Sequence, residues 1–163
     1  MDSRLPEQVA SQLAKWRVPA SQLTLEITES SIMADPVRTK QILDSISNQG
    51  VSLSVDDFGI GHSSLSYLKQ LPVSEIKIDR SFVMDMQNNA NDAVIVRSTV
   101  DLGRNLGMRI VAEGVEDAPT YGTLTDLGCD VAQGYFISRP LPGIAMTQWL
   151  TERRSQAEDV LAG

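Results

Sequence analysis

"SVDDFGIGHSS", residues 54–64, sets two acids side by side between an alternating apolar run and a turn hinged by glycines. Adjacent carboxylates repel, so a fold that keeps both normally gives them a cation. The residues before the pair decide the kind of fold. Val51, Leu53 and Val55 alternate with Ser52 and Ser54, the period of a strand, and three aliphatic residues in that rhythm make the strand a buried one. A buried strand that ends in acids is the pattern of parallel α/β sheets, whose carboxyl ends open on sites.

The flanking segments repeat that design. Leu5, Val9, Leu13 and Trp16 form a helical stripe, with Pro6 in the first turn and Pro19 beyond the end, and all four are expected to pack. "LTLEITE" alternates Leu23, Leu25 and Ile27 against Thr24, Glu26 and Thr28, as a strand with one polar face would. Asp35-Pro36 opens a helix that carries Ile42, Leu43 and Ile46 and stops at Gly50. Downstream the pattern predicts a short helix around Leu65 and Leu68, strand "SEIKID", a helix over about 92–106 closed by Gly107, and strand "MRIVA". A helix over about 117–127 closed by Gly128 and strand "DVAQGYF" follow. Five strands separated by helices imply right-handed crossovers and a parallel α/β sheet. Residues 1–150 read as one domain, and "TERRSQAEDVLAG", 151–163, as a charged tail forming a helix end or linker.

Composition narrows the function classes. A formal charge of −7 gives no electrostatic footprint for duplex nucleic acid, so a phosphate-bearing ligand would need metal ions or local cations. With 42% hydrophobic but only 5% aromatic residues, the core is aliphatic rather than a stacking platform for bases. The single cysteine, Cys129, excludes an internal disulfide and a cysteine-built zinc site; it reads as buried packing and fits a reducing cytoplasm. No apolar run approaches the roughly 18 residues that span a bilayer, and the first residues lack a leader pattern, so no membrane contact is expected.

Polar residues gather where the strands end: Glu26 and Glu29, Asp56 and Asp57, Lys77 and Asp79, Glu113 and Glu116, and Gln133. Carboxyl ends of parallel strands share one face, so these residues can converge on one mouth. A single acid at a strand end is more often a helix cap, and Asp79 and Asp117 read as caps. Lys77, taken alone, reads as a snorkelling surface lysine. Oxygen donors without a neighbouring histidine favour Mg²⁺ or Mn²⁺ over zinc, and two such ions suit in-line displacement at phosphorus. His62 reads as a loop side chain and Trp149 as packing, while Gly59 and Gly61 lack the lysine or the spacing of a phosphate cradle and serve a hinge or tight turn.

Taken in order, "LEITES", "DDFGIGHSSLSYL", "IKIDRSFV", "IVAEGVE" and "AQGYFISRPLP" resemble the EAL domain family of cyclic di-GMP phosphodiesterases over about residues 5–142. The resemblance implies a (β/α)8 TIM-type barrel that uses Mg²⁺ or Mn²⁺ to linearise cyclic di-GMP to pGpG. It implies Glu26, Asp56 and Glu113 as metal ligands, Asp57 as ligand of a second ion, and Glu113 also as base. Lys77 would touch the attacking water or the phosphate, Gln133 would line the same mouth, and Glu29 and Glu116 would fix the loop holding Gly59 and Gly61.

Two departures qualify that expectation. The motif that names the family and an asparagine ligand precede "LPEQVASQLAKW" in family members, so this chain is expected to be a partial barrel lacking about three strands. Ile60 and His62 stand where the family usually has threonine and tyrosine. An open barrel exposes strand edges, so self-association or a covering partner is expected. Three readings stay open: the carboxyl-terminal part of an active phosphodiesterase, alone or completed by a partner; a non-catalytic module acting as nucleotide receptor or protein-interaction regulator; or merely a fragment of such a domain. A receiver domain is excluded by order, because its acid pair would follow the first strand and its lysine the last.

Overall fold

The computed structural model describes residues 2–60 and 65–162. Five strands, β1 (Thr24–Thr28), β2 (Ser52–Phe58), β3 (Glu75–Ile78), β4 (Arg109–Glu113) and β5 (Val131–Gln133), form one parallel sheet in the order β1-β2-β3-β4-β5. Leu25 pairs with Leu53, Val55 with Ile76, Ile76 with Ile110 and Val111 with Val131, so the aliphatic residues lie in register across the sheet. Each strand neighbours the next in sequence and the order never reverses. Crossovers of one hand then place every helix on one face, which is barrel winding rather than the doubly wound arrangement with its switch point.

Helix α1 (Leu5–Trp16) carries Pro6 in its first turn, and α3 (Pro36–Ser47) starts where the Asp35 carboxylate accepts from the Arg38 N–H at 3.2 Å. Ile42, Leu43 and Ile46 of α3 are buried, as their spacing predicts. Two helices of six residues, α2 (Glu29–Ala34) and α5 (Arg80–Asp85), follow β1 and β3 directly. They are too short to show a stripe and have no counterpart in the sequence pattern. After α4 (Leu65–Leu68), α6 (Ala90–Leu106) and α7 (Ala118–Leu127) are closed by Gly107 and Gly128, as expected. Asp79 and Asp117 accept from the N–H groups of Ser81 and Thr120, the capping role assigned to them. Helix α8 (Gly143–Ala162) continues across residue 150. Among the described residues, no helix is long and apolar enough to cross a membrane.

Three expectations need correction. Trp16 does not pack: it is 68% exposed at the end of α1, donating its indole N–H to Gln12 Oε1 at 3.2 Å. Val9, with Leu5 and Leu13, reaches the core, but β1, a sheet edge, has no further strand beside it among the described residues to cover the Trp16 ring. The last strand stops at Gln133 instead of running to Phe136, because the chain turns at Gly134 and the Phe136 N–H donates to the Val115 carbonyl at 3.0 Å. Cys129 is only partly buried; its thiol lies 3.3 Å from the Val131 carbonyl, and burial pushes its pKa up.

Helix α6 is pressed onto β4 at Gly103, where an added Cβ would come 2.0 Å from Ile110 Cδ1. Ile110 is 1% exposed and cannot swing away. Gly103→Ala should therefore lose about 1–3 kcal/mol to overpacking, against a helix-propensity gain of about 1 kcal/mol. Adding Ile110→Val, which removes the clashing methyl, should recover part of the deficit. Urea midpoints of the two single variants and the double variant read this directly, and an unchanged midpoint for Gly103→Ala would contradict the packing described.

Candidate functional site

The acid pair sits inside β2, not in a loop beyond it. Val55 pairs with Ile76 and Phe58 with Ile78, so Asp56 and Asp57 together stand opposite the single residue Lys77. That two-against-one pairing is a β-bulge, and Asp57 absorbs it at φ 56°. Asp is one of the few non-glycine types that tolerates this region. Through the bulge both acids lie near one cation: Asp57 senses the charges of Asp56, Asp79 and Lys77. Burial first, then Asp56 and Asp79, push the Asp57 carboxyl above its ordinary value.

Lys77 is the centre of the arrangement. Its Nζ lies 2.6 Å from Glu113 Oε1, 2.8 Å from Glu26 Oε1 and 3.1 Å from Asp56 Oδ1. One ammonium from β3 thus joins carboxylates from β1, β2 and β4. Lys77 is 5% exposed, which rules out a snorkelling surface lysine. Burial alone would lower its pKa, but the close carboxylates of Glu113, Glu26 and Asp56 outweigh burial and push it above the ordinary lysine value.

The remaining site residues frame this cluster. Glu29 is buried and accepts the Gly59 N–H at 3.4 Å, tying the end of β2 to α2. Gln133 is paired in register with Glu113, and both line a cleft of about 630 Å³ that Glu116 also borders. Gly61 and His62 lie outside the described residues.

Among the described residues, no three Asp, Glu, His or Cys side chains close into a ready-made ligand group. Glu26, Asp56 and Glu113 instead share Lys77. In kind the residues fit a hard cation, because three carboxylates already converge on one positive charge. The buried Asp56 Oδ1 has only its charge contact with Lys77 and no well-directed hydrogen bond, so it retains lone pairs for a ligand.

The sequence profile of the EAL domain matches residues 1–140. This chain belongs to the EAL domain family. It is 46% identical over 138 residues to the bifunctional diguanylate cyclase/cyclic di-GMP phosphodiesterase MucR of Pseudomonas aeruginosa, a match covering 85% of this chain and 20% of MucR. Among solved structures, the MucR phosphodiesterase in complex with cyclic di-GMP superposes with a TM-score of 0.85 at 41% identity, over 90% of this chain and 62% of that one. The EAL domain of Mycobacterium smegmatis DcpA gives 0.88 at 40% identity, over 93% and 68%. Klebsiella pneumoniae BlrP1 with manganese and cyclic di-GMP gives 0.76 at 30% identity, over 82% and 34%. The chain spans about a fifth of the length of the curated relatives it matches first.

The EAL chain also brings to its mouth residues that strand-end reasoning passed over. Arg80, Met84 and Tyr135 line the cleft beside Glu113 and Gln133. Arg80 was visible in "IKIDRSFV" as a cation following the cap, but only the six-residue helix α5 turns it toward this cleft.

Removing the ammonium should leave Glu26, Asp56 and Glu113 repelling one another. Lys77→Met is expected to cost about 3 kcal/mol at pH 7, the low end for breaking a buried pair because Glu26 is half-exposed. The raised Lys77 pKa means that its stabilisation is complete below the ordinary value of 10.5 and is lost only as pH climbs through the higher folded value. The deficit of the variant should accordingly persist from pH 6 to 9 and narrow only as pH climbs above 10.5 toward the folded Lys77 value. Thermal melts of both proteins from pH 6 to 11 check it; a deficit that ignores alkaline pH would mean that packing, not charge, was lost.

Proposed function

We propose that the chain acts as the carboxyl-terminal part of an EAL domain in metal-dependent hydrolysis of cyclic di-GMP to linear pGpG. The observation that carries this reading is the convergence of Glu26, Asp56 and Glu113, from three strands, on the Lys77 ammonium. Relatives solved with cyclic di-GMP, one of them with manganese, support the substrate and the class of cation. Glu26, Asp56 and Glu113 would hold one Mg²⁺ or Mn²⁺ and Asp57 would serve a second; the ions supply Lewis acidity at the phosphoryl oxygens and toward water.

The protein groups then have distinct tasks. Water adds to one phosphorus as one P–O3′ bond breaks, and the departing 3′-oxygen takes a proton from solvent, leaving a 5′-phosphate and a free 3′-hydroxyl. Glu113, held at the cluster by its contact with Lys77, accepts the proton of the attacking water. Lys77 stays an ammonium, fixed by its neighbours before substrate arrives, and meets the negative charge that builds on the phosphoryl oxygens. Gln133 offers an amide to the bound nucleotide, and the Glu29 to Gly59 bond keeps the bulged end of β2 in place. The unpaired edges of β1 and β5 are covered in solution by a second copy or by further protein. The lone thiol of Cys129 suits a reducing compartment, the cytoplasm.

A second reading, a nucleotide receptor without turnover, is favoured by the absence of a closed ligand group among the described residues. Chromatographic measurement of pGpG formed with Mn²⁺ or Mg²⁺ separates the two. The enzyme reading expects turnover abolished by EDTA, and a loss of at least about 100-fold in Glu113→Gln with cyclic di-GMP binding retained. Tight binding with no pGpG in either metal would establish the receptor instead.

A further inference from the structure

The cleft that begins at Glu113 and Gln133 has two walls, each built by a close backbone approach. On one side Gly114 adopts φ 71°, and an added Cβ would come 2.6 Å from Arg80 Cβ and 3.2 Å from Arg80 Cα. Only glycine lets the loop after β4 lie against the start of α5. On the other side Gly134 lies against the Val115 backbone, where an added Cβ would come 2.2 Å from the carbonyl oxygen. That contact places Tyr135, 55% exposed, in the lining of the same cleft.

Arg80 is held by its backbone and free at its tip. The buried Asp79 carboxylate accepts the Ser81 N–H at 2.9 Å and also the Ser81 hydroxyl, which fixes the turn that carries Arg80. The Arg80 side chain is exposed, and among the described residues its guanidinium makes no ion pair or hydrogen bond, although Glu113 and Glu116 border the same cleft. A planar five-donor cation left unpaired in a chain of net charge −7 has its hydrogen-bonding capacity available for a ligand.

We propose that Arg80 is the base-reading residue of this site, pairing two parallel N–H donors with O6 and N7 of one guanine. Guanine presents two acceptors on that edge, whereas adenine puts an amino donor beside N7, which opposes a guanidinium. Arg80 therefore selects guanine over adenine in a cyclic dinucleotide. The inference rests on the cyclic di-GMP reading above and adds a residue and a basis for specificity to it.

Equilibrium binding of cyclic di-GMP and cyclic di-AMP, measured by calorimetry in EDTA so that no turnover intervenes, tests it on the protein and on Arg80→Ala and Arg80→Lys. The expected result is preference for cyclic di-GMP, weakened roughly 10- to 100-fold in Arg80→Ala while cyclic di-AMP affinity is unchanged. Arg80→Lys should not restore the preference, because an ammonium lacks the fork. Equal loss for both nucleotides, or recovery in Arg80→Lys, would assign Arg80 to a phosphate and overturn the proposal, as would unchanged preference in Arg80→Ala. Failure to bind cyclic di-GMP both in EDTA and, in Glu113→Gln, with Mn²⁺ would instead overturn the underlying reading, and this one with it. Circular dichroism of each variant establishes that the fold is retained, which the exposed position of Arg80 leads one to expect.

Discussion

The site depends on one buried ammonium. Lys77 neutralises part of the charge of three carboxylates that would otherwise repel across the sheet, and it does so from the strand that lies between theirs. Strand pairing is set by backbone hydrogen bonds and aliphatic packing, yet the strand ends can lie side by side only if their charges are balanced. Lys77 thereby lets a strongly acidic mouth exist on a stable sheet. The same arrangement turns the acids inward toward positive charge.

The bulge in β2 and the two glycine contacts turn that mouth into a site. Without the extra residue between Val55 and Phe58, consecutive acids would point to opposite faces of the strand. With it, Asp56 and Asp57 are both within electrostatic reach of Lys77. Gly114 and Gly134 do for the neighbouring cleft what the bulge does for the acids: they bring side chains from separate elements to a common space by letting backbones touch.

Much of this is legible in the sequence. The alternation of Val51, Leu53 and Val55, the Asp35-Pro36 helix start and the glycines closing α6 and α7 reflect strong local preferences, and the structure follows them. Acids at successive strand ends indicated a shared mouth because parallel topology leaves their residues few other places to go. What pattern could not show depends on contact between distant segments. The burial of Lys77 comes with side chains from three other strands, β1, β2 and β4, rather than from the Ile76 and Ile78 beside it. The early end of β5 comes from Val115, and the exposure of Trp16 from its place at the edge of the sheet. Helices α2 and α5 are shorter than two turns, so no periodicity exists for them to display.

The order of the strands has a consequence for how the site is assembled. Because every strand pairs with the one that follows it, no loop longer than one crossover between successive strands must close, and the entropy of closure is met in small instalments. A chain emerging from the ribosome can lay down β1, β2 and β3 in turn, but its charge cluster stays one carboxylate short until β4 docks and delivers Glu113. Electrostatic completion is therefore a late event in folding.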